Sequence, residues 1–377
     1  MSKSYYSLGL MSGTSMDGVD ASIIQSDGET KYKVILDKYF KYPQPIYNNL
    51  TKFRGKIKSS KDLKKFSKEL KNIEKVITLF HAKAVNEILK KTKIKVDFIG
   101  FHGQTIYHNE KEKISKQLGD GKILSQLSKK IVVYNFREND LKNGGGGAPL
   151  APIFHKLIVS QSKIRQPVLI LNLGGIANWT FLGKSDDGKD LHSADLGPGN
   201  CLIDQWMKKK SKKNYDKDGF TAKSGKINKS LLNKAIDDHM DKFISEEQVK
   251  DYYHDRSYDI NDFDFSFVFG LSLEDGAATL TEYTAFIISE FINGMPTNLR
   301  RVIVCGGGRK NKFLLQRISK KLKYSIQPID NFGIDGDFIE SQAFAYLAIR
   351  SYLKLPISFP ETTGVNIPCV GGKISIP

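Results

Sequence analysis

Three times along the chain an apolar run ends in a cluster of glycines. The first is YYSLGLMSGTSMDGVDASII (5–24), the second VLILNLGGIANWTFLG (168–183) and the third RVIVCGGGRKNKFLLQRI (301–318). After the first two clusters, β-branched and aromatic residues alternate with polar ones, so each predicts a strand, a turn and a returning strand. After the third, Phe313, Leu314, Leu315 and Ile318 recur at helical spacing, so there the strand enters a helix. Two glycine-turn hairpins about 160 residues apart suggest an internal duplication, with one lobe built around each and a ligand cleft between lobes. Elsewhere the spacing of Leu63, Phe66, Leu70, Ile73, Ile77, Phe80 and Val85 predicts one long amphipathic helix over 61–91. Residues 96–100 and 130–134 read as short strands, 274–295 as a helix N-capped by Ser272, and 340–352 as another helix. Pro356, Pro360 and Pro368 punctuate a final extended segment.

Length allows two such lobes, since 377 residues with 40% hydrophobic and 26% charged are enough for two cores. Fifty-eight Lys and Arg against 41 Asp and Glu leave a net charge of +17, which raises the question of polyanions. The lysines are spread over predicted helix faces, as at 61–71, 208–213 and 320–323, without the interleaved aromatics and arginines that nucleic-acid readout uses. They read as solvated faces, so no nucleic-acid partner is expected. No apolar run reaches membrane-spanning length, and Ser7, Ser12, Thr14 and Ser15 interrupt any signal-peptide core, so no membrane partner and a cytoplasmic location are expected. Cys201, Cys305 and Cys369 fit neither a disulfide framework nor a zinc cluster and read as small buried hydrophobes.

Glycines after a strand let backbone N–H groups approach phosphate oxygens, where a side chain would block them. The turn Gly13-Thr14-Ser15 adds hydroxyl donors, and Asp17 can hold Mg²⁺ through water against phosphate charge. This is no Walker loop, because GxxxxGK[ST] is missing and a strand follows. Gly306 to Gly308 likewise lack the Rossmann spacing. Any one turn alone reads as a tight hairpin. Two strand–turn–strand elements with a distal strand–GGG–helix element form the arrangement with which actin-like ATPases and sugar kinases hold phosphates and an adenosine.

The residues themselves are more specific. MSGTSMDGVDA (11–21), FHGQTIYH (101–108), NFRENDLKNGGGGAPLAPIFH (135–155), LNLGGIANWT (171–180), ADLGPGNCLIDQW (194–206), DGFTAKSG (218–225), ATLTEYTA (278–285), GGGRKN (306–311) and TTGVNIPCVGGKI (362–374) follow one another in order. Over essentially its full length the chain thereby resembles the anhydro-N-acetylmuramic acid kinase family. It departs from that pattern at Asn135, where the family has Asp before Phe-Arg, and at Gly146, where it has Gln. It departs again at Asp255 to Asp259, in place of a KSTGRE-like stretch, and at Leu196, in place of Thr.

The resemblance implies a two-lobe α/β fold of the actin-like ATPase and sugar kinase type, with RNase H-like lobes and ATP in the interlobe cleft. The lobes are expected at 1–141 and 142–357, with 358–377 a candidate to pack back on the first. The implied reaction converts 1,6-anhydro-N-acetylmuramic acid, ATP and water into N-acetylmuramic acid 6-phosphate and ADP during cell-wall recycling. An inverting hydrolase needs one carboxylate as base and another as acid. Here the leaving oxygen is the sugar's own O6, which accepts the γ-phosphoryl group, so one carboxylate is sufficient. By resemblance that base is Asp195; its alternative is to cap the helix that begins at Cys201.

ATP is expected on Gly13, Thr14, Ser15, Met16, Asp17, Gly18, Val19 and Asp20, on Gly174, Gly175 and Asn178, and on Gly306, Gly307, Gly308 and Asn311, with Mg²⁺ at Asp17. The sugar is expected on His102, Gln104 and Thr105, with Arg137 as a bidentate clamp for the lactyl carboxylate and Glu340 as a second-rank contact. Bland roles stand beside these: a surface ion pair for Arg137, a structural group for His102, and a dipole-stabilising carboxylate for Glu340. His108 and His155 read as structural. A homodimer is left open. The alternatives are a simple amino-sugar kinase of the same fold and a non-catalytic sugar sensor; retention of Asp17 and Asp195 counts against the sensor.

Overall fold

The computed structural model describes residues 3–184, 190–243, 258–295 and 298–377. They form two compact units. One comprises Met1–Lys163 with Phe338–Pro377, and the other is Ile164–Asp337.

The first unit is built on strands β1 (Tyr5–Ser12), β2 (Gly18–Ser26), β3 (Tyr32–Lys41), β4 (Phe98–Asn109), β5 (Ile114–Leu118), β6 (Ile131–Tyr134) and β12 (Lys373–Ser375). Their order is β12-β6-β4-β1-β2-β3, with β5 paired to β4. β1 is antiparallel to β2 and parallel to β4, and β4 is parallel to β6. β1 is buried from Ser7 to Ser12, which is why it reads as a nearly continuous apolar run.

The second unit contains β7 (Val168–Leu173), β8 (Ile176–Leu182), β9 (Leu191–Pro198), β10 (Arg301–Cys305) and β11 (Ile326–Pro328), in the order β11-β10-β7-β8-β9. β7, β8 and β9 form an antiparallel meander, and β10 and β11 run parallel to β7 on its other side. Leaving aside β5 and β12, this is the connectivity of the first unit strand for strand. Each unit is an RNase H-like lobe of the actin-like type, and the duplication suggested by the two glycine hairpins is a duplication of topology.

Helices cover these sheets. Ser67–Leu89 buries Leu70, Ile73, Ile77, His81, Val85 and Ile88. The single helix expected over 61–91 is two, Ser60–Lys65 and Ser67–Leu89. Phe66 leaves helical dihedrals (φ −102°, ψ 24°) between them, and its ring packs on Phe53 at 6.1 Å. Ser272 caps Leu273–Gly294, accepting a hydrogen bond from the Asp275 N–H. Among the described residues no helix is long and apolar enough to cross a membrane.

The unit boundaries fall at 163/164 and 337/338 rather than at 141/142 and 357/358. Helix Pro152–Gln161 packs in the first unit, with the Phe154 ring edge-on to Tyr32 at 5.0 Å and tilted against Tyr346 at 5.6 Å. Helix Ile339–Tyr352 lies on the sheet itself. Gly9 and Gly100 are partners across β1 and β4, and the space of a Cβ at either is filled by helix backbone, the Ser341 carbonyl at Gly9 and the Phe344 carbonyl at Gly100. A methyl group at Gly100 therefore has to push the helix off the sheet. Gly100→Ala is expected to cost about 1–3 kcal/mol or more through overpacking. Gly55, which has no neighbour within 4 Å of its would-be Cβ, should take alanine without loss. Urea unfolding of the two variants checks this, and equal midpoints would contradict the close approach.

Three histidines of the first unit are buried. Burial lowers His81 and His155 to about 4 each and His102 to about 3, so all three are neutral in the folded protein down to pH 5. Unfolded, they return to the ordinary value of 6.5. The unfolded chain then binds more protons, and stability falls as pH drops from 6.5 towards 4. Unfolding near pH 5.5 is expected to take up about two to three protons through these groups. The slope of the unfolding free energy against pH measures this, and a flat profile between pH 6.5 and 5 would contradict neutral burial.

Candidate active site

In the first unit the β1–β2 turn closes with the Met16 N–H donating to the Gly13 carbonyl at 3.2 Å. Met16 has φ +57° and a side chain buried in the core, which pins the turn from beneath. Thr14, Ser15 and Asp17 are exposed above it, and the Ser15 hydroxyl donates to the Asp17 carboxylate. Burial and the Asp17 carboxylate push the Tyr39 hydroxyl well above its ordinary range. Gly13 has ordinary dihedrals, and a Cβ there would meet nothing within 4 Å. Nothing in the chain requires a glycine at that place, so the open space above it is available to a ligand. Gly18 differs, because a Cβ would strike the Tyr39 ring and the Phe40 carbonyl. Val19 is wholly buried and Asp20 half-buried in β2, opposite Met11.

The motif at 101–108 lies within β4 and not beyond its end, because β4 continues to Asn109. Its pairing with β1 slips there: Leu10 faces Phe101 and Met11 faces Gly103, which leaves His102 as the extra residue of a bulge. Gly103 has φ +76°, and such a bulge re-aims the side chains around it. Both nitrogens of His102 are engaged. Nδ1 lies 2.8 Å from the Gly103 carbonyl, so it carries the proton, and Nε2 accepts from Arg137 Nη2 at 3.0 Å. Burial first and the Arg137 guanidinium second keep this ring neutral. Arg137 Nη1 donates to the Gly147 carbonyl at 2.8 Å.

Gln104 is fully buried and points back at the turn. Its Oε1 lies 2.7 Å from the Ser12 hydroxyl, and its Nε2 donates to the Gly13 carbonyl at 3.0 Å. Thr105 accepts from Gln117 Nε2 at 3.1 Å. Glu340 is half-buried in the first turn of Ile339–Tyr352, beside Ser341, whose hydroxyl meets that of Ser22 at 2.6 Å.

In the second unit three glycine segments meet. The Gly174 carbonyl accepts from the Asn200 N–H at 2.9 Å and from Asn200 Nδ2 at 3.0 Å, and the Gly175 carbonyl accepts from the N–H groups of Gly199 and Cys201 at 3.0 and 3.1 Å. The Gly197-Pro198-Gly199 passage thus crosses the β7–β8 turn. Gly308 packs on Asn200 and Leu173, and Gly306, at φ +78°, packs on Asn172. Gly307 resembles Gly13 in that its dihedrals are ordinary and a Cβ would touch nothing. Asn311 caps Lys312–Lys321 through the Leu314 N–H at 3.0 Å.

Asp195 lies inside β9, half-buried and opposite Asn178. The cap position before Cys201–Lys210 is Asn200, so Asp195 does not cap that helix. Its Oδ2 accepts the Tyr258 N–H at 2.9 Å. Residues 255–257 of the altered family stretch lie outside the described residues.

Two members of this junction carried no role in the sequence reading. Asn200 ties the glycine turns together, and its position directly after Gly-Pro-Gly was the available signal. Arg309, 7% exposed, forms a fork with Asp330 at 2.7 and 2.9 Å and a bond to Asp337 at 2.5 Å, which holds the segment 329–337 against the third glycine cluster. Nothing in its spacing revealed this, because its partners lie more than 20 residues away.

The family model "Anhydro-N-acetylmuramic acid kinase" matches residues 5–377. An anhydro-N-acetylmuramic acid kinase of Pelagibacter ubique (strain HTCC1062) is 54% identical over 380 residues, covering 99% of each chain. One from Zymomonas mobilis subsp. mobilis is 39% identical over 377 residues, covering 97% of this chain and 98% of its own. Among solved structures, a ROK family glucokinase from Streptomyces griseus in complex with glucose and AMPPNP is 12% identical, covers 91% of this chain and 99% of its own, and superposes with a TM-score of 0.40. With its glycine turns, its bulged His-Gly-Gln strand and its Asp-Leu-Gly-Pro-Gly-Asn passage all inside a match that leaves out only the first four residues, the chain belongs to the anhydro-N-acetylmuramic acid kinase family.

Proposed function

We propose that the protein uses ATP and water to open the anhydro bridge of 1,6-anhydro-N-acetylmuramic acid and phosphorylate its O6, releasing N-acetylmuramic acid 6-phosphate and ADP in cytoplasmic peptidoglycan recycling, as a monomer or a homodimer. The observation that carries the mechanism is the position of Asp195, a half-buried carboxylate oriented by the Tyr258 N–H and adjoining the Asn200 junction of glycine turns. Asp195 takes a proton from water as the water attacks C1. The C1–O6 bond breaks, O6 keeps the electron pair, and O6 attacks the γ-phosphorus as ADP leaves. The phosphoryl group stands in for the acid's proton, so no second carboxylate is needed at the leaving oxygen.

In the first unit, Gly13, Thr14 and Ser15 present backbone and hydroxyl donors to phosphate oxygens, with Met16 to Asp20 contributing main chain and the exposed Asp17. In the second, Gly174, Gly175 and Asn178 serve phosphate, and Gly306 to Gly308 with Asn311 serve the nucleoside. The exposed Asp17 carboxylate with its Ser15 hydroxyl is a hard-oxygen set that fits Mg²⁺ held through water, and the ion, when bound, supplies charge neutralisation to the phosphates. Arg137 receives the lactyl carboxylate, steadied by His102 and Gly147. Thr105 and Glu340 face the sugar, and Gln104 acts by holding the Gly13 turn.

Asp195→Asn keeps the shape and the acceptor for Tyr258 but cannot take the proton. Turnover is expected to drop by about 10²-fold or more with both ligand affinities kept. Steady-state kinetics with calorimetric binding reads this, and near-normal turnover would remove Asp195 as base. Oxygen from ¹⁸O-labelled water should appear at C1 and not in phosphate, with inverted configuration in fresh product. Rapid mass spectrometry and early NMR read it. Label in phosphate, or a phosphorylated product with the bridge intact, would show that ring opening and phosphoryl transfer are not coupled as proposed.

A further inference from the structure

Four consecutive glycines, Gly144 to Gly147, follow the short helix Glu138–Lys142. Such a run has the largest backbone entropy to lose on ordering and no side chains with which to pack. Yet the Gly147 carbonyl accepts from Arg137 and helps to orient it. The run is held by charge. The Asp140 carboxylate, 1% exposed, accepts the Gly147 N–H on Oδ1 at 2.6 Å and the Thr363 hydroxyl on Oδ2 at 2.6 Å. The Asp140 main-chain carbonyl accepts the Gly145 N–H at 3.0 Å, and the Thr363 carbonyl accepts the Gly146 N–H at 2.7 Å. From outside, Lys113 Nζ donates to the carbonyls of Gly144 and Gly145 at 2.8 and 3.1 Å.

An asparagine would offer one acceptor oxygen to these two donors, whereas the carboxylate serves both, at the higher desolvation cost of a buried charge. Charge-assisted bonds are shorter and stronger than neutral ones, and the one to the Gly147 N–H anchors the residue whose own carbonyl, in the next peptide unit, supports the guanidinium. We propose that Asp140 is a positioning residue for sugar specificity: through Gly147 it sets the aim of Arg137, and so the preference for a substrate bearing a carboxylate. Resting on the reading of Arg137 as the carboxylate clamp, this goes beyond it by placing the control of the clamp in a buried residue that touches no substrate.

The test compares kcat/KM for 1,6-anhydro-N-acetylmuramic acid with that for 1,6-anhydro-N-acetylglucosamine, the same ring without the lactyl carboxylate. Arg137→Ala should abolish the preference for the first. Asp140→Asn keeps the shape with one acceptor oxygen in place of two and should shrink the preference by about tenfold, through a raised KM for the carboxylate sugar with the KM for ATP unchanged. Thr363→Val, which removes one donor outside the glycine run, should shift it in the same direction and carries the test if Asp140→Asn does not fold. A merely structural role would lower both sugars and ATP alike. An unchanged preference in these folded variants, with Arg137→Ala abolishing it, overturns the positioning role alone. An unchanged preference in Arg137→Ala overturns the clamp and the proposal with it.

Discussion

The first unit depends on a contact from which side chains are missing. Gly9 and Gly100 sit side by side in the two central parallel strands, and helix Ile339–Tyr352 lays its own carbonyls into the gap. The helix answers with small residues, Ala343, Ala345 and Ala348, and buries nearly its whole circumference. Dense packing of this kind transmits position, because neither surface has a side chain that can rotate to absorb a shift. The depth of the helix therefore sets where Glu340 stands, where the Phe344 ring meets His102 at 4.5 Å, and where Ser341 and Gln342 reach Ser22 and Asp37. The strands that it covers carry the Gly13 turn, after β1, and the bulge at His102, within β4.

The second unit meets the same need for rigidity with polar groups. Its glycine turns expose carbonyls that would otherwise need water, and Asn200, with the N–H groups of Gly199 and Cys201, takes them up. Arg309 does the same for the segment 329–337 by gathering Asp330 and Asp337 around one nearly buried guanidinium. Removing a partner from such a network leaves a buried group unsatisfied. In the first unit the corresponding loss would be of shape.

Much of this was legible in the sequence because the signals were local. The glycine hairpins, the strand–GGG–helix element and the Ser272 cap each rest on residues within a few positions of one another, and the repeated hairpin disclosed the duplicated topology. The break at Phe66 was not legible, since Leu63, Phe66 and Leu70 keep helical spacing across it and only the dihedrals depart. The bulge at His102 was missed because a bulge is a relation to a partner strand, and Met11 lies some 90 residues away. The place of Asp195 within a strand was not legible for a related reason: the glycines after it suggest a turn, whereas β9 runs on through Gly197 to Pro198. Among the candidate ligand contacts, Gln104 showed its type and place in the sequence, but not that it faces inward.

The first unit is interrupted, its last 40 residues following the whole of the second, Ile164–Asp337. A ribosome delivers the chain in order. While the second unit emerges as one continuous stretch and has everything it needs, the first waits with Gly9 and Gly100 bare and the outer edge of β6 unpaired by β12. An uncovered apolar sheet face beside an open edge is the surface most prone to wrong association. The nascent protein therefore has its most vulnerable moment after the second unit has emerged and before residues 338–377 follow it to close the first.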